Sequence, residues 1–334
     1  MQARYDEPYE DLLGLWSDLE SALSVLLSEP LRMPGFTPKL QQIDLWLQDL
    51  ISHDTDVALY LMFQRAASTT VGYSPSHALV CASLCHVLSK LLNLPQTERD
   101  TLIQAALTMN IGMTALQNQL AEQREPLSSV QSEQVKLHPM EGRVLLERLL
   151  VRDALWLETV QYHHEVLPPV PLAQLQPVQR LVRILGTVDR YAALISPRKT
   201  RGGRSAIESL QILQQGQQYA DEVKRALIEV VGLYPPGTYV QLDNGEIAVV
   251  LRRGPNPAEP QIASVIDPEG HGLYPPILHM ASRKPQISSG LSRSSLTLDL
   301  DLRSMAQLGV HSARGSASLY RMVKLPGSKV LGAS

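Results

Sequence analysis

The chain has 334 residues, about twice the usual size of a single domain, with 44% hydrophobic and 19% charged residues and ordinary Gly (20) and Pro (23) content. These values exclude fibrous and collagen-like classes and leave enough apolar material for a sizeable core. A formal net charge of −3 and a pI near 6.3 give no basic field for a nucleic-acid polymer, so any phosphate ligand must be gripped locally.

The apolar side is carried by Leu, Val, Ile and Ala, with only 2 Phe, which predicts a mainly α protein. No stretch approaches the roughly 20 apolar residues of a membrane span, so the expectation is a cytoplasmic protein without a membrane partner.

In chain order, Leu12, Trp16, Leu19, Leu23 and Leu26 recur at spacings of four and three and form one helical stripe. The stripe suits packing on the chain's own next helix or, alternatively, a homodimer seam. Pro30, Pro34, Gly35 and Pro38 interrupt it, and Leu40, Ile43, Leu47 and Leu50 restart it. Asp54 is placed to cap a third helix running through Phe63. These elements constitute an expected N-terminal helical region, residues 1–70.

Residues 71–232 read as one all-α domain, with stops expected at 93–96, at Pro139, at 168–171 and at 197–203. The polar, acidic start at Thr97, Glu98 and Asp100 suits a helix N-terminus. Cys81 and Cys85 lie one helical turn apart and share a face, a spacing that favours reduced thiols over a disulfide. With His77 they make a stripe at i, i+4 and i+8. A soft-metal site is conceivable there, but buried Cys behaving as a small apolar residue is the plainer reading.

After Pro235 and Pro236 the period changes to two. Residues 239–242 and 247–251 read as strands joined at Asp243-Asn244-Gly245 by a type I′ turn, with a third strand at 262–266. This small β appendage is placed at 233–287. The Ser-rich, basic remainder, 288–334, reads as largely disordered, except that Leu296, Leu298, Leu300 and Leu302 alternate with polar residues as a strand would.

Four histidines, His77, His138, His163 and His164, together with Asp189, offer the nitrogen and oxygen donors that suit manganese, iron or zinc. They fall in an ordered series: His77 at a helix start, AALTMNIGM at 105–113, KLHPMEGRVLL at 136–146, VQYHHE at 160–165 and ILGTVDRYAALISPRKTR at 184–201, followed by YPPGTYVQLDNGEIAVV at 234–250. This series resembles the HD-GYP family, a branch of the HD phosphohydrolase superfamily. The resemblance implies an HD-GYP-like all-α helical bundle holding two or three metal ions and hydrolysing cyclic di-GMP. It places His77, His138, His163, His164 and Asp189 at metal-ligand positions and Arg198 and Arg201 at phosphate-binding positions, where guanidinium groups can grip phosphate oxygens as a fork.

The departures from the family pattern are specific. Where the family carries H-D-x-x-K, this chain has Met109, Asn110 and Met113, so the His, the metal-bridging Asp and the Lys are absent. A thioether and a neutral amide are poor substitutes for imidazole and carboxylate at borderline-hard metals. The D-G-x-G-Y-P loop is replaced by Val166, Leu167, Pro168, Pro169, Val170 and Pro171, and Ala192 stands where an acidic residue is common. The expectation is a catalytically impaired signalling protein with no catalytic residues, no required cofactor and at most a single divalent Fe, Mn or Zn. It would bind cyclic di-GMP or dock onto signalling proteins such as diguanylate cyclases. The alternative is a metal-dependent phosphodiesterase with a reduced site.

Overall fold

Apolar spacing of three and four residues produces helices wherever Pro and Gly do not intervene, and the computed structural model, which describes residues 7–68, 72–199, 202–214, 222–280, 283–296 and 302–311, shows eleven of them before the first strand. They are α1 (Glu7–Ser28), α2 (Phe36–His53), α3 (Thr55–Ser68), α4 (Tyr73–Leu91), α5 (Gln96–Thr108), α6 (Thr114–Glu122), α7 (Ser129–Arg148), α8 (Ala154–Tyr162), α9 (Pro177–Ile195), α10 (Ala206–Gln214) and α11 (Glu222–Val231). Five strands follow: β1 (Tyr239–Leu242), β2 (Ile247–Arg252), β3 (Gln261–Ile266), β4 (Gly272–Met280) and β5 (Ile287–Leu291). A final helix, α12, spans Leu302–His311. The chain is thus mainly α, with a small C-terminal antiparallel sheet.

Trp16, Leu19, Leu23 and Leu26 of the N-terminal stripe are buried, and α1 packs on α2 and α4, so the chain's own helices cover that face. The Leu12 side chain lies outside the described residues. Asp54 caps α3 as expected, its Oδ1 accepting from the amides of Asp56 (3.0 Å) and Val57 (3.2 Å). Buried α4 is the central helix, packed against α5, α9, α3, α11 and α1. The hydrophobic core is continuous from Trp16 through the helical bundle to Val249 and Leu251 of β2 and Met305 and Leu308 of α12.

The expected stop at Pro139 does not occur: Pro139 lies inside α7. A helix tolerates an internal Pro when something else uses the carbonyl four residues back, which the missing N–H leaves without a partner. Here that carbonyl belongs to Val135, and its new partner is the His138 side chain.

The sheet is ordered β4-β3-β2-β1-β5, with every neighbouring pair antiparallel. The β1–β2 turn differs from the expected type I′ form. Only Gly245 has positive φ (+91°), and its amide donates to Leu242 O at 3.1 Å, which describes a three-residue loop with glycine in the left-handed position. The tail also differs from expectation. Ile287–Leu291 pairs along β1 as an edge strand, and Leu302 begins a helix against α3 instead of ending a strand. Gly309 lets that helix seat against α3, since any Cβ there would overlap the Tyr60 ring. Residues 297–301, the middle of the expected strand, lie outside the described residues.

Candidate metal centre

The candidate site forms where α4, α7, the end of α8 and α9 meet. Two close backbone approaches bring them together. A Cβ on Gly186 of α9 would come within 2.5 Å of His163 O, and one on Gly112 would come within 2.6 Å of His138 O. Glycine at these two positions lets α9 seat against the end of α8 and the 109–113 segment against α7.

Helix irregularities orient two of the histidines. His138 Nδ1 donates to Val135 O at 2.6 Å, the carbonyl that Pro139 leaves free. His163 follows the last turn of α8, and its Nδ1 donates to Val160 O at 2.6 Å, one of the carbonyls a helix end leaves unsatisfied. A carbonyl only accepts, so both rings carry their proton on Nδ1 and present a bare Nε2 lone pair. Those two Nε2 atoms lie 3.3 Å apart, and the residues are 0% and 1% exposed. Burial lowers the pKa of His163 to about 3, with the neighbouring His164 charge acting in the same direction, and burial also lowers that of His138. Both are neutral at ordinary pH. Two buried acceptors facing each other repel unless a cation lies between them, and this donor arrangement fits a divalent ion.

Asp189 joins the histidines from α9. His77 Nε2 is 2.8 Å from Asp189 Oδ1, and His164 Nδ1 is 4.0 Å from Asp189 Oδ2. Burial pushes the Asp189 carboxyl up, but the His77 hydrogen bond and the surrounding histidine charges outweigh it and hold the group below the usual carboxylate range. His164 is half exposed at the rim, its ring 4.1 Å from that of His163. All five residues expected as ligands therefore converge. Among the described residues there are two groups of potential ligands, His138 with His163 and His164, and His77 with Cys81 and Asp189. Cys81, which sequence reasoning set aside as apolar, has its Sγ 3.6 Å from His77 Nε2.

Of the two arginines expected to bind phosphate, Arg198 lies over the Tyr73 ring at 5.5 Å, and that ring stacks on His77 at 5.5 Å. It is thus two aromatic layers from Asp189, while Lys199 turns away to Glu122. Arg201 lies outside the described residues. Met109 and Asn110 are both buried, and both stand where α5 ends beside the 3-10 turn that packs on α7. A cleft opens beside His163, walled by Glu165, Val166, Pro169, Arg183, Arg190 and Arg225 among others. Arg183 fixes the wall by donating to the carbonyls of Pro168 and Val170. Arg190 and Arg225 were not singled out from sequence, because isolated helical arginines carry no motif.

Residues 59–223 match the HD domain family. A cyclic di-GMP phosphodiesterase from Pseudomonas aeruginosa is 30% identical over 195 residues, covering 55% of this chain and 46% of that protein. The matched region thus spans less than half the length of that relative. A solved structure, an HDG"Y"P protein from Bdellovibrio bacteriovorus, is similar over 69% of this chain and 74% of its own at 13% identity, with a TM-score of 0.48, a likeness too distant to add to the assignment. None of the helices among the described residues is long and apolar enough to cross a membrane. Residues 59–223, just under half of the chain, thus match the HD domain family, and the matched region is similar to a phosphodiesterase of cyclic di-GMP.

Proposed function

We propose that this chain is a cyclic di-GMP signalling protein that holds one divalent ion and binds the dinucleotide without turning it over effectively. The carrying observation is a contrast within one site. His138 and His163 aim bare lone pairs at each other beside the His77–Asp189 pair, yet Met109 and Asn110 stand where the family places its His and bridging Asp. His77, His138, His163, His164 and Asp189 are the residues that would hold the ion. When bound, such an ion supplies positive charge for phosphate oxygens and lowers the pKa of coordinated water. Without the bridging carboxylate the site lacks the negative oxygen needed to bring two ions together, and loss of ligands costs more than the roughly 10 to 100-fold of second-shell changes.

The chain's own residues supply the remaining grip. Arg198, over the Tyr73 ring, offers a guanidinium for a phosphate. Likeness to a cyclic di-GMP phosphodiesterase supports cyclic di-GMP as the ligand. The second reading, a metal-dependent phosphodiesterase with a reduced site, draws on the same facing histidines. Equilibrium titration of the full chain with cyclic di-GMP separates the two. Saturable binding is expected at tens of micromolar or tighter, weakened about tenfold by Arg198→Ala, with no turnover above that of a His163→Ala/His164→Ala variant. Absence of binding at those concentrations removes the ligand-sensing reading. Turnover that the double variant loses establishes the enzyme instead.

A further inference from the structure

We propose that Cys81 is itself a ligand of the divalent ion, so that His77, Cys81 and Asp189 form a nitrogen, sulfur and oxygen site that favours zinc over manganese. This rests on the reading that the centre holds an ion at all. Three observations carry it. First, Cys81 follows His77 by one turn of α4, is fully buried, and directs Sγ to within 3.6 Å of His77 Nε2. Second, an Asp189 carboxylate oxygen lies 2.8 Å from the same nitrogen, and the donor atoms of all three residues lie within 4.8 Å of one another. Third, the adjoining His138 and His163 lone pairs point independently to a cation in this part of the bundle.

The nitrogen–sulfur distance suits the chemistry, while the 2.8 Å between His77 Nε2 and Asp189 Oδ1 is a hydrogen-bond separation that opens by about 0.5 Å when an ion replaces the proton. Two donors held at about 2.1 Å (nitrogen) and about 2.3 Å (sulfur) by a tetrahedral zinc ion lie about 3.6 Å apart, which is the separation observed. On binding, the ion takes the place of the His77 Nε2 proton, which shifts to Nδ1 so that the ring stays a neutral ligand, and of the thiol proton, which leaves to solvent, so the thiolate supplies a negative charge that Asn110 does not. A thiolate favours zinc or iron and is a poor partner for manganese or magnesium. Cys85, one turn further along α4 and equally buried, is in neither ligand group and serves as an internal control.

The test is cobalt substitution of the metal-free full chain, read by absorption spectroscopy. Wild type should take up cobalt and show a near-ultraviolet sulfur-to-cobalt charge-transfer band that Cys85→Ser keeps and Cys81→Val loses. Cys81→Val should also bind zinc about 100-fold more weakly while its manganese affinity changes little, since losing a ligand exceeds the usual effect of an outer-shell change. Should the Val variant fail to fold, X-ray absorption at the zinc edge of the wild-type protein decides, a zinc–sulfur path near about 2.3 Å being expected. Bound cobalt with ligand-field bands but no charge-transfer band, a band that disappears with Cys85 instead, or a zinc shell of only nitrogen and oxygen overturns the role of Cys81 alone. No metal uptake at all overturns it together with the one-ion reading.

Discussion

At the residue scale, the site depends on carbonyls released by local breaks in helices. Pro139 costs α7 a backbone hydrogen bond and in return leaves Val135 O to orient His138. Pro139→Ala restores a competing amide. It should stabilise the metal-free protein by about 1 kcal/mol or more while weakening metal binding about 10-fold or more, as loss of a ligand's orienting partner does. Parallel denaturation and metal titrations check both signs, and a variant that gained stability with unchanged metal affinity would deny the orienting role. A second residue-scale prediction concerns Asp44, buried in α2 with Gln48 Nε2 donating to its Oδ1 at 2.9 Å. Burial raises its pKa to about 6, against the lowering effect of Gln48 and with a further push from Asp100. A carboxyl whose folded pKa lies above its unfolded value destabilises the fold once it is ionised. The penalty is therefore full above about pH 6 and absent below about pH 4. Asp44→Asn should add about 1–3 kcal/mol at pH 7 and nothing at pH 4, measured by urea unfolding at the two pH values. His86 acts in the opposite sense. Burial, aided by Lys90 and Arg99, lowers it to about 4, so its contribution falls away as pH drops from about 6.5 towards 4. The difference between wild type and variant isolates Asp44.

At the scale of elements, the sheet is clamped to the helices by charge and by close packing. Arg252 pairs with Asp54 (2.8 and 3.2 Å), and Arg253 pairs with Asp56 (2.6 Å) while donating to Val230 O, tying β2 to α3 and α11. Gln64 Nε2 donates to Gly237 O at 2.6 Å, and Gly237, at φ +85°, leaves no room for a Cβ, which would lie 2.4 Å from Tyr60 O. Gly237→Ala combines positive-φ strain with a backbone clash and should cost about 3 kcal/mol or more. Arg253→Ala, which leaves Asp56 only the longer pairing with Arg252 (3.5 Å), should cost about 1 kcal/mol. Thermal unfolding of both variants checks the order, and an unperturbed Gly237→Ala would show that the sheet does not bear on α3.

The same elements show what the sequence disclosed. The helices, the β1–β2 hairpin and β3 are legible because their apolar residues repeat with the right period. β4 and β5 are not, and both are edge strands. β4 carries Pro275 and Pro276, which an edge tolerates because outward-facing positions need no N–H, and β5 is largely Ser and Gly with one face open. The grouping of His77, His138, His163, His164 and Asp189 was legible because the motif order survives. Cys81 was not, since its spacing from His77 reveals a shared face but not that α9 brings Asp189 to it. Arg190 and Arg225 gain meaning only from the cleft that tertiary packing creates.

At the scale of the whole molecule, one continuous core joins the N-terminal helices, the rest of the helical bundle, the sheet and α12. The candidate metal centre lies where the central helix α4 meets α9, so binding there would bear on the elements packed on α4, including α1, α3 and α11. That architecture suits a protein whose output is a ligand-dependent state of its surfaces. The claim on which this account turns is that the surviving ligands hold one ion and no more. The most direct measurement is the metal content per chain, by elemental analysis, of full-length protein purified anaerobically without chelator. About one divalent ion per chain is predicted. Two or more ions per chain would contradict the reduced site, and a chain free of iron, manganese and zinc would contradict the reading that His138 and His163 share a cation.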